Sequence, residues 1–322
     1  MVDPEVIDCL IVGAGPGGLV AATYLTRFHR RIAVVDAGSS RARWIPSSHN
    51  CPGFPFGVSG DELLSKLRLQ AEGFGTRIES GRIVELARAD GRFEAVDDQG
   101  RRHHATHVLL ATGIVDRMPP FGGAPDALER AIRTGAVRLC AVCDGYEASD
   151  ESIAVYGPVN EAIRHAVFLR TFSRSVAVVR SQPGEPGPEC AAMASEARVE
   201  LLPVTRQLRC ADGGGCAILF EDGASLRFDT VYPVLGGDAQ SDLAVGLGAR
   251  VDEGGELIVD EKQQTTVDGL YAIGDVVSGL NQISVAMGQA AIAASAIHQR
   301  LPPNLREDEA SQPETAPDLP SP

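Results

Sequence analysis

The residues whose types and spacing are best suited to chemistry lie in "CAVCDGYE", where Cys140 and Cys143 form a C-x-x-C and Asp144 follows at once. Two intervening residues bring the sulfurs close enough for a disulfide and keep one thiol depressed in pKa. Thiol–disulfide exchange needs a thiolate to attack and a neighbour to shuttle its proton, and a carboxylate at position 144 can do the second task. Zinc is disfavoured, because it needs four ligands, usually a second C-x-x-C or a His pair. Cys190, Cys210 and Cys216 are widely scattered, and His103, His104 and His107 fall in an expected strand of another domain, so no metal site is predicted. A purely structural disulfide is disfavoured as well, since it would close a very short loop in a reducing compartment.

Two β–α–β patterns must position this chemistry. The first is "VIDCLIVGAGPGGLVAATYLTRFHRRIAVVDAG", in which an apolar strand from Val6 to Val12 runs into Gly13, Gly15 and Gly18 at the G-x-G-x-x-G spacing. The glycines serve a tight turn, close approach to a pyrophosphate and close helix–strand packing. The helix that follows offers backbone N–H groups and the positive end of its dipole to phosphates. A second strand ends in Asp36, placed to accept hydrogen bonds from ribose hydroxyls.

The second pattern, "IAVYGPVNEAIRHAVFLRTFSRSVAVVRSQPGEP" from Ile153, repeats the outline with its centre altered. Gly157, Val159 and Ala162 stand where G-x-G-x-x-A is expected. A valine side chain projects toward the pyrophosphate space, Pro158 removes an N–H donor, and Glu161 competes for the positive end of the helix. Ala162, Ile163, Ala166, Val167 and Arg170 keep helical spacing, which predicts an intact apolar face on a folded unit.

The chain has 322 residues, 44% of them hydrophobic, which suffices for about two domains with cores of their own. A net charge of −14 argues against nucleic acid or an anionic membrane as the main partner. The N-terminus has no basic region followed by a long apolar stretch, so no secretory signal is read. No apolar run approaches the ~20 residues that span a bilayer. Seven cysteines at irregular spacing are unlike a secreted disulfide framework, and a cytoplasmic protein is expected. From Pro302 the chain is Pro-rich, acidic and without aromatic residues, which predicts a disordered tail over 302–322.

A family resemblance adds to this reading. "LYAIGDVVSGLNQI", with Gly274, Asp275, Gln282 and Ile283, resembles the segment of pyridine nucleotide–disulfide oxidoreductase flavoproteins whose Asp meets the FAD ribityl or phosphate. "LLATG", with Ala111, Thr112 and Gly113, resembles their second FAD-contacting motif. The order of the FAD motif, "NCPGFPFGVSGDELL", "ATG", "CAVCDG", second nucleotide unit and "GDV…NQ" is similar to the low-molecular-weight thioredoxin reductases, over nearly everything but the tail. The resemblance implies an α/β fold of two Rossmann-like domains, the second inserted into the first. Residues 1–116 and 242–301 would form the FAD-binding domain and 117–241 the insert that carries the C-x-x-C. It implies FAD as cofactor, a homodimer, and a thioredoxin-like protein or a small disulfide or dithiol as substrate. By position, it implies that Cys143 faces the flavin, that Cys140 is the interchange thiol and that Asp144 is the acid/base. It further implies that Asn50 lines the flavin and Val84 meets the adenine, with Pro16, Gly17, Ala37, Gly38, Arg43 and His49 completing the cofactor site.

Three departures from that family redirect the expectation. "DAGSSRARWIPSSHNCPGFP", with Arg41 and Arg43, replaces a Gly-Gly-Gln segment and is more similar to a side branch holding fungal dithiol oxidases and pyridine-nucleotide-independent reductases. His49 is read there as a hydrogen-bonded structural residue in preference to a proton relay. The altered Gly157–Ala162 turn is the second departure. The third is "VVRSQPGEPGPE", where Arg180 stands alone in place of the basic cluster that holds a 2′-phosphate. The expected activity is therefore FAD-dependent disulfide oxidoreduction at Cys140–Cys143 without NADPH, with a ferredoxin-type or other donor and room for a second flavin. The competing expectations are a dithiol oxidase with oxygen as acceptor, an NADPH-dependent thioredoxin reductase with an atypical pocket, and a flavin-containing redox sensor.

Overall fold

The computed structural model describes residues 6–124, 126–210 and 214–306. Most of the expected tail lies outside the described residues. At its described start, Arg30 donates to the Pro302 carbonyl (2.9 Å) and the Asn304 amide donates to the Phe28 carbonyl (2.7 Å). The described residues form two compact units, one from residues 6–43, 61–115 and 238–306, the other from 44–60 and 116–237. Both are α/β units built on a mostly parallel sheet, and the second is inserted into the first.

In the first unit the strands run in the order Ile78–Ser80, Ile32–Asp36, Val6–Val12, Arg102–Leu110, Arg92–Asp97 and Ile83–Ala89, with Leu270–Ala272 also paired to Arg102–Leu110. Val6–Val12 pairs in parallel with a neighbour on each side and is covered on both faces. Its continuous apolar run is what such burial demands. On one face the helices Pro16–Arg27 and Ile283–Arg300 approach through Ala21, Ala22, Ala290, Ala293 and Ala294, all fully buried. Small side chains there let the backbones come close. At the end of the strand order, Asp90 and Gly91, both with positive φ, make the tight hairpin between Ile83–Ala89 and Arg92–Asp97.

The second unit orders its strands Ser225–Phe228, Cys216–Phe220, Glu200–Cys210, Ser175–Arg180, Ser152–Gly157 and Thr230–Pro233. The last four are parallel; Cys216–Phe220 and Ser225–Phe228 add an antiparallel extension. Helix Val159–Leu169 covers the sheet with Ala162, Ile163, Ala166 and Leu169 buried. The apolar face is the expected one except at its end. Leu169 points inward, whereas Arg170 caps the helix and donates through Nε to the Ala197 carbonyl (2.8 Å).

Candidate active site

In the first unit the parallel register sets the geometry. Val12 lies opposite both Val35 and Leu110, and Leu110 lies opposite Ala272. The turns that leave these strands therefore share one edge of the sheet: Gly13 to Gly18, Asp36 to Gly38, Ala111 to Gly113, and Gly274–Asp275. Chain direction around the sheet reverses at Val6–Val12, and ligands of open α/β sheets bind at such a switch point.

The glycines there divide into two kinds. Gly13 has φ +102°, and a Cβ on it would run into the Ala111 carbonyl; a Cβ on Gly18 would run into the carbonyl of Gly13. Packing explains both. Gly15 is different, since a Cβ there would meet only the Ser40 hydroxyl, at 3.4 Å. It is the N-cap of Pro16–Arg27, and no side chain caps that helix and no acid sits in its first turn. Uncapped N–H donors beside an open glycine are what a diphosphate needs, so the residues present fit an FAD-type dinucleotide.

The remaining polar groups of that edge are ordered. Asp36 accepts from the Ala14 N–H (3.0 Å) and stands 3.7 Å from Arg68. Asp275 lies 3.7 Å from Arg41, and the Gly274 N–H donates to Gln289 (2.7 Å). Arg43 reaches the Gly38 carbonyl (3.2 Å) and Asp61 (3.4 Å). Thr112 donates to the Gln240 carbonyl (2.7 Å). Val84 falls where the register of its hairpin slips between Ile83 and Glu85. Gln282 is the N-cap of Ile283–Arg300.

In the second unit Cys140 and Cys143 are joined as a disulfide with their Cα atoms 5.3 Å apart. Cys140 opens the short helix Ala141–Asp144, and its carbonyl accepts from the N–H groups of Cys143 (3.0 Å) and Asp144 (3.2 Å). Asp144 is enclosed. Tyr232 donates through its hydroxyl to Asp144 Oδ1 (3.0 Å), and Arg138 lies 3.6 Å from Oδ2. Burial raises the Asp144 carboxyl to about 6, against the opposing pull of Arg138 and the Tyr232 hydrogen bond. Arg138 also approaches Glu151 (3.9 Å), whose carboxyl is likewise pushed up by burial. Neither Arg138 nor Tyr232 stood out in the sequence, because each becomes a neighbour of Asp144 only through the fold.

His49 is exposed and shares a hydrogen bond with Ser47 (3.2 Å), and the Ser48 hydroxyl donates to Asn50 (3.0 Å); both belong to the second unit.

The altered β–α–β turn is closed by its own residues. A Cβ on Gly157 would meet Val234 Cγ2 at 2.6 Å, so this glycine is consumed by packing. Arg180 donates to the carbonyls of Leu202 (3.1 Å) and Gly184 (3.0 Å) and pairs with Glu185 (3.1 Å). The loop between them is fastened at both ends: Ser181 N–H to the Gly157 carbonyl (3.0 Å), and Gly187 N–H to the Asn160 side chain (3.0 Å) in the first turn of Val159–Leu169.

One expectation is corrected. Cys210 and Cys216, taken as scattered, are paired across adjacent antiparallel strands and joined as a second disulfide. The "CADGGGC" stretch between alternating strands carries the hairpin signal that could have found them.

A glycine-rich turn at the carboxyl edge of one parallel sheet, and a C-x-x-C disulfide with a half-buried acid in the other unit, define a flavin-dependent disulfide oxidoreductase. The chain belongs to the pyridine nucleotide-disulphide oxidoreductase family, whose model matches residues 7–290; FAD binding is implied by that membership. It is similar to the thioredoxin reductase of Mycoplasmopsis pulmonis (strain UAB CTIP), 27% identical over 307 residues, covering 92% of this chain and 98% of that one. Among solved structures, thioredoxin reductase from Streptococcus pyogenes MGAS5005 matches with a TM-score of 0.84 at 26% identity, over 92% of this chain and 98% of that one. HlmI matches with a TM-score of 0.84 at 26% identity, over 93% of each chain. The protein is thus thioredoxin-reductase-like in sequence and fold. Among the described residues no helix is long and apolar enough to cross a membrane.

Proposed function

We propose that the protein is an FAD-dependent thiol–disulfide oxidoreductase that works through Cys140 and Cys143 and does not draw its electrons from NADPH. The observation that carries the second half is Arg180. It is the lone basic residue where a 2′-phosphate clamp is expected, and it is spent on two carbonyls and Glu185. A phosphate there would have to displace a carboxylate, and the segment "VVRSQPGEPGPE" holds no second arginine to share its charge. A ferredoxin-type protein or a dithiol takes the place of NADPH as donor.

Gly13, Gly15, Gly18 and the first N–H groups of Pro16–Arg27 would hold the FAD diphosphate, and Asp36 a ribose hydroxyl. When bound, FAD supplies the two-electron carrier against which the disulfide is opened or closed. The chain's own residues do the rest. Cys140, as thiolate, attacks the partner disulfide, whose leaving sulfur takes a proton. Asp144 is the group that accepts the Cys140 proton and returns one to the leaving sulfur. Held at about 6 with the disulfide formed, its carboxyl can both take and give a proton near neutrality. Tyr232 is a positioning residue that fixes the carboxyl's orientation.

Anaerobic titration of the FAD-loaded protein, followed by flavin absorbance, tests the proposal. Dithiothreitol bleaches the flavin and NADPH does not. Rapid bleaching by NADPH in the micromolar range, normal for an enzyme cofactor, overturns it. Prompt reoxidation in air with peroxide formed would turn the reading toward a dithiol oxidase.

A further inference from the structure

Cys210 is the last residue of strand Glu200–Cys210 and Cys216 the first of Cys216–Phe220. The two stand directly opposite in the antiparallel register, with Cα atoms 4.0 Å apart and their sulfurs bonded. We propose that Cys210–Cys216 is a second thiol–disulfide couple, opened and closed by dithiols without loss of the fold, and not a structural staple.

Four observations support this. First, the sheet does not need the bond. The ladder runs on through Arg209–Ala217, Leu208–Ile218 and Gln207–Leu219, and Cys216 also pairs with Phe228 on the next strand. Leu208 and Ile218 are fully buried, so the hairpin is anchored in the core. Second, the cysteines are only six positions apart, and a short ring restricts the unfolded chain least, so the bond adds less stability by that route than a long-range one would. Third, the reduced state is already accommodated. Cys216 is 1% exposed, and its Sγ lies 3.4 Å from the Ala136 carbonyl, which gives a freed thiol an acceptor in place. Fourth, Cys210 packs partly against the core but is half-buried at the strand end, whereas Cys216 is closed off, so Cys210 carries the sulfur of the pair nearer to solvent.

The exchange is directional for the same reason. The thiolate of an external dithiol attacks Sγ of Cys210, the Cys210–Cys216 bond breaks, and Cys216 leaves, takes up a proton and, as the thiol, donates a hydrogen bond to the Ala136 carbonyl. The second sulfur of the dithiol then attacks the mixed disulfide, releasing Cys210 and closing the dithiol's own disulfide. Two electrons and two protons pass to the protein. The site reached is not remote from the redox turn. The Ala136 carbonyl also accepts from Val231 N–H (2.9 Å), and Arg138 N–H donates to the Val231 carbonyl (3.0 Å), on the segment that runs into Cys140.

Thiol trapping on the FAD-loaded full chain tests the couple, using a Cys140→Ser/Cys143→Ser variant so that only Cys210–Cys216 can report. Oxidised protein, acid-quenched, unfolded and treated with a maleimide, is expected to label only at Cys9, Cys51 and Cys190, the three free cysteines. After native incubation with reduced dithiothreitol it labels at five positions, and oxidised dithiothreitol returns it to three. Five labels before any reductant would show that the bond does not form. Three labels after native reduction, rising to five only once the chain is unfolded, would show a closed structural disulfide. Either result overturns the proposal. Peptide mapping of the wild-type protein under the same three conditions gives the same answer if the double variant fails to fold. Because Cys140 and Cys143 are absent from the first measurement, its failure leaves the proposed function untouched.

Discussion

The Tyr232 hydroxyl donates to Asp144 Oδ1 at 3.0 Å and to the Asp144 main-chain carbonyl at 3.2 Å, across 88 positions of sequence. A strand that closes one end of the second sheet thereby holds the residue next to Cys143. Tyr232 is 2% exposed, so the carboxyl is oriented by a group that cannot itself swing into solvent. Arg138, Tyr232 and Glu147 act on it, together with its own burial, and Arg138 is shared with Glu151. The balance leaves an acid whose proton is exchangeable near neutral pH.

Replacing Tyr232 by Phe removes a donor that favours the charged carboxylate, so the Asp144 pKa rises further above about 6. The acidic limb of the pH–rate profile for disulfide exchange is expected to move up by about one pH unit. Asp144→Asn is expected to abolish that limb. If Asp144→Asn keeps it, Asp144 is not the proton carrier. If only Tyr232→Phe leaves it unmoved, the positioning role is wrong.

The same carboxyl makes a pH-dependent contribution to stability. Its pKa is raised from 3.8 to about 6 by burial, so the folded state favours the neutral form. Stability from this group is full below pH 3.8 and is lost as pH rises through about 6. The stability advantage of Asp144→Asn over the wild type should grow by about 2 kcal/mol between about pH 4.5 and about pH 7.5. Urea unfolding at the two pH values measures it, and an advantage that shrinks would reverse the sign argued here.

Gly15 and Gly18 should respond differently to alanine. At Gly15 the added Cβ has space, so the apo protein should keep its melting temperature within about 2 °C while losing FAD on gel filtration. At Gly18 it strikes the Gly13 carbonyl, so both folding and FAD retention should fall. Equal FAD retention by Gly15→Ala and the wild type would remove that turn from the cofactor site.

Val159→Gly alone should not confer use of NADPH. It removes one side chain from the second turn but leaves Gly157 packed on Val234, the loop tied at Gly157 and Asn160, and Arg180 paired with Glu185. Stopped-flow anaerobic reduction of this variant by NADPH at a rate comparable with dithiothreitol would show that the valine was the sole obstacle.

The glycine turn at the carboxyl edge of the first sheet was legible because it is built from local conformational chemistry. A G-x-G-x-x-G between an apolar strand and a helix can be recognised without knowing what packs on it, and Asp36 follows at the length of one helix and strand. The C-x-x-C is legible for the same reason, since its two sulfurs meet within one turn. The apolar face of helix Val159–Leu169 follows from its spacing except at the last turn, where spacing does not distinguish a buried Leu169 from a capping Arg170.

What lay beyond the sequence depends on register and on which strand ends where. Cys210 and Cys216 meet because two antiparallel strands pair residue for residue, and a shift of one position would have turned their side chains to opposite faces. Arg138 and Tyr232 reach Asp144 only after the parallel sheet has ordered its strands. The amino-acid sequence by itself determined the chemical groups and the short turns that present them: the glycine turn, the acid after the second strand, the dithiol and its adjacent carboxylate. The tertiary structure alone decided that carboxylate's pKa, the closing of the second turn by Val234 and Glu185, and the pairing of the second disulfide. Burial and through-space contact are properties of the packed chain, and no spacing along the backbone carries them.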